Sequence, residues 1–192
     1  MFARTSRLLL RPGWEEDASA LAHAIGEESI VRNLARAPWP YRVADAEAYL
    51  SAEREPHLPD FLIFARTRGA PRLIGGCGIA RSDEGALELG YWIARPYWGL
   101  GFATEAARAV MQIARSTSLD GIAASHFMDN AASGNVLRKI GFRRTGIVKP
   151  LFSPARGETA PCEMYEMTDE VAMPRTDPAL EVYGDEVQPL AA

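Results

Sequence analysis

The segment from Ile93 to Ala114, IARPYWGLGFATEAARAVMQIA, joins a strand end, a glycine turn and an amphipathic helix with no spare residues. Gly99 and Gly101 can take backbone angles closed to other residues, and they carry no side chain to keep a ligand off the main chain. Behind them Ala103, Thr104, Glu105, Ala106 and Ala107 make a strong helix start. Unpaired amide N–H groups and the positive end of the helix dipole then point at whatever occupies the turn, which suits a phosphate. A glycine loop that merely turns a strand into a helix would read the same way locally. The spacing fits neither GxxxxGK(S/T) nor GxGxxG, and no lysine enters the loop, so a nucleotide hydrolase or a Rossmann site loses its support.

Two flanking stretches carry side chains able to do chemistry. In Ala86 to Ile93, period-two alternation puts Glu88 opposite Leu87 and Leu89 and on one face with Gly90 and Trp92. A carboxylate there is either a proton acceptor facing a cleft or a solvated strand residue. The second stretch, Asp129 to Phe142, reads DNAASGNVLRKIGF and opens a helix with Asn130 and Ser133, both suited to capping it. His126 has no nearby carboxylate or second ligand pattern, and His23 and His57 show none either. Cys77 and Cys162 lack metal-ligand spacing, so no metal is expected.

Together with the glycine turn and its helix, the stretch from Asp129 to Phe142 closely resembles the GNAT superfamily of acyl-CoA-dependent N-acetyltransferases. Trp98-Gly99-Leu100-Gly101-Phe102-Ala103 lies on that family's pyrophosphate turn, with Trp98 in place of the usual Gln or Arg. Asn130-x-x-Ser133 followed by Val136 to Phe142 lies on its N-x-x-S-x-x-V-L-x-K-x-G-F helix. GYW-x-x-x-x-YWG-x-G-x-ATEA is most similar to the branch holding the ribosomal-protein N-terminal alanine acetyltransferases, and the resemblance runs roughly from Ser6 to Thr168.

This resemblance implies a cosubstrate, acetyl-CoA, and direct transfer of its acetyl group to a primary amine. By the same token the backbone from Gly99 through Leu100, Gly101, Phe102 and Ala103 to Thr104, with Trp98, holds the pyrophosphate, and the backbone at Ile93 pairs with the pantetheine like an added strand. Asn130 contacts the cofactor or caps its helix, or does both. Glu88 takes the place of the glutamate that accepts the amine proton, often through water. Ser133 falls where a hydroxyl lies near the cofactor sulfur, to steady the thiolate or to help cap the helix. Many relatives carry a tyrosine acid on that helix, whereas this chain has Leu137. Trp39, Tyr41 and Trp92 are suited to wall the acceptor site, and Trp92 equally suits the core. A protein N-terminal α-amine leads among acceptors, ahead of a small-molecule or aminoglycoside-like amine; the rival from another class is a non-catalytic acyl-CoA-binding module. The absence of a well-placed nucleophilic Cys or Ser-His pair favours direct attack.

The elements that must position these residues follow from periodicity and breakers. Arg7 to Pro12 reads as a strand, and Glu15 to about Ile25 as a helix with acids in its first turn. Prolines keep 37–41 irregular, and a helix runs from Val43 to before Pro56. Strands are expected at Phe61–Thr67, Leu73–Ile79, Ala86–Ile93, Ile122–Met128, Arg143–Val148 and Cys162–Thr168, with helices after Gly101 and over Ala131–Ile140. The helical connection into Ile122–Met128 is long enough for a parallel crossover, which sets two parallel strand ends beside the glycine turn. The expected fold class is therefore α/β (α+β): a single GNAT-like domain with a mixed, mostly antiparallel sheet, two splayed parallel strands and helices on both faces.

With 192 residues, 47% hydrophobic and 24% charged, the chain suits one soluble domain with a full core. That domain is assigned to residues 1–173, and the proline-rich, aperiodic 174–192 to a flexible tail, unless Leu180, Val182 and Tyr183 dock on a neighbouring subunit. No apolar run approaches a membrane span and the start lacks a secretory pattern, so cytoplasm is the expected location. A net charge of −4 argues against a nucleic-acid partner and permits a basic acceptor. The chain is expected to be a monomer or a homodimer.

Overall fold

The computed structural model describes residues 1–67, 69–82, 84–167 and 178–184. In chain order the elements are β1 (Phe2–Arg4), β2 (Leu8–Arg11), α1 (Ala18–Ile25), α2 (Glu28–Val31), α3 (Val43–Ser51), β3 (Asp60–Ala65), β4 (Arg72–Arg81) and β5 (Leu87–Ile93). They continue with α4 (Phe102–Ser116), β6 (Ala123–Phe127), α5 (Ala131–Lys139), β7 (Phe142–Ser153), β8 (Glu158–Met167) and β9 (Glu181–Tyr183). The described strands form one sheet in the order β7-β8-β6-β5-β4-β3-β2-β1-β9. Among its neighbouring pairs only β5 and β6 run parallel, and they pair at a single register point, Glu88 with Ala123. The expected mixed sheet with splayed parallel strands and helices on both faces is the fold observed.

Each face has its own core. On one side Leu89 and Ile93 of β5, Ala124 of β6 and Tyr165 of β8 pack with Ala106, Val110, Met111 and Ile113 of α4 and Leu137 of α5. The small residues Ala106, Ala107 and Ala109 are fully covered, so α4 lies close to the sheet with its glycine turn at the strand ends. On the other side Leu62 and Phe64 of β3 meet Leu21 of α1 and Ala46 and Leu50 of α3, with Trp92 and Tyr41 at the margin. Trp92 and Tyr41 also border a smaller cluster built on Ile25, Ile30 and Val31.

Several boundaries differ from those expected. The first strand is preceded by another, β1, and helix α2 lies between the expected first helix and the irregular 37–41, where no helix is expected. Strands β7 and β8 are twelve and ten residues long, well beyond Arg143–Val148 and Cys162–Thr168. Pro150 and Pro161 hide that length in the sequence, yet they face each other across the hairpin. Pro150 is tolerated because β7 is the sheet edge, and Pro161 because it lies just past the last β6–β8 register pair, Phe127 with Cys162, where its carbonyl still accepts from Met128 N–H at 3.0 Å. Within the segment expected as a tail, 174–177 and 185–192 lie outside the described residues. The part that is described departs from a free tail: Glu181–Tyr183 pair antiparallel with Phe2–Arg4, and Leu180 and Val182 pack on the main core. These side chains dock on the chain's own first strand rather than requiring a neighbouring subunit.

Candidate active site

The glycine turn has the geometry its sequence demands. Gly99 and Gly101 take φ of 75° and 82°, and Gly101 is the left-handed residue immediately before α4. A Cβ at Gly99 would meet nothing within 4 Å, so the turn is open on its outer side. Leu100 and Trp98 are 54% and 47% exposed, which leaves the backbone from Gly99 to Thr104 at the surface where the helix N-terminus emerges.

What braces that turn is not local. Glu105, in the first turn of α4, accepts from Thr5 Oγ1 at 2.6 Å, Arg7 N at 3.1 Å and Arg7 Nε at 2.7 Å. Arg7 Nη1 also donates to Leu100 O at 3.0 Å, and its guanidinium stacks 4.4 Å from the Phe102 ring centre. Burial pushes the Glu105 carboxyl up, but the hydrogen bonds from Thr5 and Arg7 and the Arg7 charge outweigh it and hold the group below its ordinary value. A depressed folded value means stability present above the unfolded carboxyl value of ~4.3 and lost as pH falls through the folded one. The melting temperature should therefore be flat from pH 7 to about 5 and drop below ~4. Glu105→Gln should be less stable at neutral pH and show a shallower acid slope, which a thermal-melt series across pH checks.

The other side of the site is the gap between β5 and β6. Ala94 N–H donates to Ile74 O at 2.7 Å, so alternation turns the Ile93 peptide groups away from β4 and toward the gap. Trp98 uses its Nε1–H to donate to Ile93 O at 2.6 Å, fastening the strand end to the glycine turn. The carbonyl keeps a second lone pair. Further back, Glu88 is half-buried at the only point where β5 and β6 pair. A Cβ at Gly90, on the same face, would meet nothing within 4 Å, so open space lies beside Glu88 as the strands separate. Cys162 of β8 reports the same neighbourhood: burial pushes its thiol up to about 11, and the charges around it are those of Arg156, Asp129 and Glu88.

Helix α5 begins at the end of β6. Asn130 occupies the capping position, its Oδ1 accepting from Ser133 N–H at 3.3 Å. Just before it Asp129 is clasped by Arg156, at 2.9 and 2.8 Å, and by Arg32 Nη2 at 3.1 Å. Hydrogen bonding from Arg156 holds the Asp129 carboxyl below its usual range. Arg156 also donates to Arg32 O, and Ser153 Oγ donates to Leu34 O. The β7–β8 turn is thereby strapped to the segment after α2, over the same face as Glu88. Ser133 sits against Tyr91 of β5: the two hydroxyl oxygens are 2.8 Å apart, and Tyr91 Oη donates to Ser133 O at 3.0 Å in one arrangement.

The three aromatics separate. Trp92 lies over β4, where a Cβ on Gly76 would come within 2.6 Å of its Nε1, and with Tyr41 it borders both small cores. Burial and the Asp45 charge push the Tyr41 phenol up to about 12. Trp39 stands 41% exposed on the loop. His126 is buried, its Nδ1 2.8 Å from Phe127 O and its Nε2 3.3 Å from Tyr165 Oη. The sequence shows no carboxylate beside it, yet the fold brings one there from β8: Glu163 Oε2 lies 3.4 Å from His126 Nε2. Both cysteines are free and buried. The sequence carries no local signal for the roles of Arg7, Tyr91, Asp129 and Arg156. Their partners lie across the fold, and no local spacing announces them.

The arrangement can seat a phosphate at the start of α4, run an extended ligand along β5, and present a carboxylate and a hydroxyl at the point where the strands part. Residues 7–143 match the acetyltransferase (GNAT) domain. An uncharacterized N-acetyltransferase, p20, from Bacillus licheniformis is 26% identical over 170 residues, spanning 85% of this chain and 93% of the relative. A GNAT-family acetyltransferase from Bacillus anthracis has a similar fold, with a TM-score of 0.74 at 23% identity over 89% of this chain and 100% of that one. RimL, described as a ribosomal L7/L12 alpha-N-protein acetyltransferase and solved in complex with coenzyme A, gives a TM-score of 0.67 at 21% identity over 84% and 94%.

Proposed function

Since the chain belongs to the GNAT acetyltransferase family, and so transfers acetyl from acetyl-CoA to an amine, we propose that its acceptor is the α-amine of a protein N-terminus. The observation that carries the site is the single β5–β6 pairing at Glu88, opening onto the empty space at Gly90 beside a left-handed glycine turn. In favour of a protein acceptor are the GYW and YWG-x-G-x-ATEA segments, which resemble the N-terminal alanine branch, and the fold shared with RimL.

The residues present suit acetyl-CoA. Backbone N–H groups from Gly99 to Thr104 face the pyrophosphate, with Trp98 steadying the turn, while the Ile93 peptide groups pair with the pantetheine and Asn130 lines the same channel. The thioester supplies an activated acetyl group with a good leaving group. Glu88 accepts the proton that the attacking amine loses, directly or through water. Ser133 donates toward the departing sulfur. Trp39 and Tyr41 wall the acceptor entrance, and Trp92 supports its floor.

The test is thiol release from acetyl-CoA with short peptides. Peptides with free N-termini should turn over, and the same peptides blocked at the N-terminus but carrying lysine should not. Because an α-amine has a pKa of ~8 against ~10 for lysine, the preference should be strongest near neutral pH. Turnover of small amines or aminoglycosides without turnover of any peptide would reject a protein acceptor.

A further inference from the structure

Helix α5 offers no phenol to the site, because Leu137 is buried in the core at 1% exposure. A phenol arrives from another element. Tyr91 projects from β5 on the α5 side of the sheet, and its Oη lies 2.8 Å from Ser133 Oγ and 3.0 Å from Ser133 O. Three oxygens share two hydrogens, which allows two arrangements. In one, Tyr91 donates to the Ser133 carbonyl and the serine hydroxyl donates to Tyr91. In the other, Tyr91 donates to Ser133 Oγ, and the serine O–H is released to donate outward. The two differ only by rotation about C–O bonds, and neither strands a buried hydroxyl.

We propose that Tyr91 is a positioning residue whose hydroxyl swings between these arrangements so that Ser133 becomes a donor to the sulfur as the thioester breaks. This rests on the acetyl-transfer reading above, in which Ser133 lies near that sulfur. As the amine nitrogen bonds to the acetyl carbon, the C–S electron pair leaves on sulfur as thiolate, and the amine proton passes to Glu88 and on to solvent. Ser133 adds one charge-assisted hydrogen bond to the thiolate. No proton leaves Tyr91. Burial pushes its phenol above its ordinary value of ~10, while a thiol titrates at ~8.5, so protonating the thiolate from Tyr91 would run uphill. The hydroxyls act by orientation.

The surroundings hold the pair in place. Gly134, next to Ser133, lies so close to β6 and β8 that a Cβ would sit 2.5 Å from His126 Nε2 and 3.1 Å from Tyr165 Oη. The titratable groups facing this corner are Cys77, across from Tyr91 on β4, His126 on β6, Tyr165 and Glu163 on β8, and Arg138 on α5. Burial pushes the Cys77 thiol far up, so it stays neutral through the range tested. Arg138, Arg144 and Glu163 all bond to Tyr165 Oη, and Glu163 Oε2 also lies 3.4 Å from His126 Nε2.

The experiment measures the affinity of free CoA, by calorimetry, from pH 6.5 to 9.5, with acetyl-CoA as the partner that has no thiol. A donor to the thiolate lowers the bound thiol's pKa. In the wild type, CoA affinity should thus rise with pH between the bound and the free thiol values, while acetyl-CoA affinity should stay level. Tyr91→Phe and Ser133→Ala should each flatten the CoA profile, keep acetyl-CoA affinity within about twofold, and slow turnover about tenfold, the scale of one hydrogen bond to a charged group. The double variant should be no worse than either alone. A Tyr91→Phe protein with the wild-type CoA profile overturns the proposal. Should that variant fail to fold, a wild-type profile in Ser133→Ala overturns it equally. If the wild type does not bind acetyl-CoA, the acetyl-transfer reading fails and takes this inference with it, whereas binding with unchanged pH profiles removes the inference alone.

Discussion

Glu88→Gln should lower the amine-dependent rate by ~10²–10⁴-fold at neutral pH, the usual span for loss of a general base, and should leave acetyl-CoA affinity nearly unchanged. The substitution keeps the size of a half-buried side chain at the β5–β6 pairing point and removes only its basicity. Because an amine that is already neutral needs no acceptor, the gap between variant and wild type should narrow above pH ~8 for an α-amine. Steady-state kinetics across pH, together with calorimetry for acetyl-CoA, separate the outcomes. Full turnover in the variant near pH 7 would make Glu88 a solvated strand carboxylate. Affinity falling in step with turnover would give it a role in shaping the cleft instead.

Gly101→Val should weaken acetyl-CoA binding by more than tenfold. Gly101 sits at φ 82° and ψ 4°, and a built Cβ meets only the Arg7 Nη2 atom, at an ordinary 3.6 Å. The penalty is therefore in the backbone: the left-handed conformation costs an L-residue ~1–2 kcal/mol, and a β-branched one fits it worst. Either the strain is borne, or the turn flips and takes its N–H groups away from the phosphate. Since 1.4 kcal/mol is about tenfold, the loss is measurable by titration, with Gly101→Ala intermediate. The wild type should gain ~2.7 kcal/mol of stability at 100 times its dissociation constant, and a variant that binds tenfold more weakly about 1.4 kcal/mol at that same concentration. Equal binding by the valine variant would place the phosphate elsewhere.

The parts of this site that sequence makes legible are those written in short-range periodicity. Alternation through Leu87–Ile93 puts Glu88, Gly90 and Trp92 on one face, and the structure keeps them there. The start of α4 after Gly101 and the cap of α5 at Asn130 follow from residues within one turn of each other. By contrast Arg7 meets Glu105 across 98 residues and Tyr91 meets Ser133 across 42, and no local pattern encodes either pair. Strands β1 and β9 have three residues each and exist only through their mutual pairing and, for β1, its pairing with β2. Helix α2, with four residues, has too few turns for an apolar period to show.

The place of β6 in the sheet bears on when in synthesis this site comes into being. One flank of β6 touches β5 at a single register point, and its other flank is covered by β8, which runs in five register pairs from Ala123–Glu166 to Phe127–Cys162. A chain growing from its N-terminus thus makes the glycine turn, Glu88 and Asn130 before it makes the strand that anchors the far arm of the gap. Until Glu158–Met167 has emerged, β6 is a sheet edge with one pairing point, and the hairpin that carries Arg156 to Asp129 is incomplete. Loop-closure cost falls before the contacts that reward it, so ligand affinity should appear late and abruptly along the chain. Nascent chains cut short of β8 hold every residue assigned to the cosubstrate and have no firm cleft to offer it.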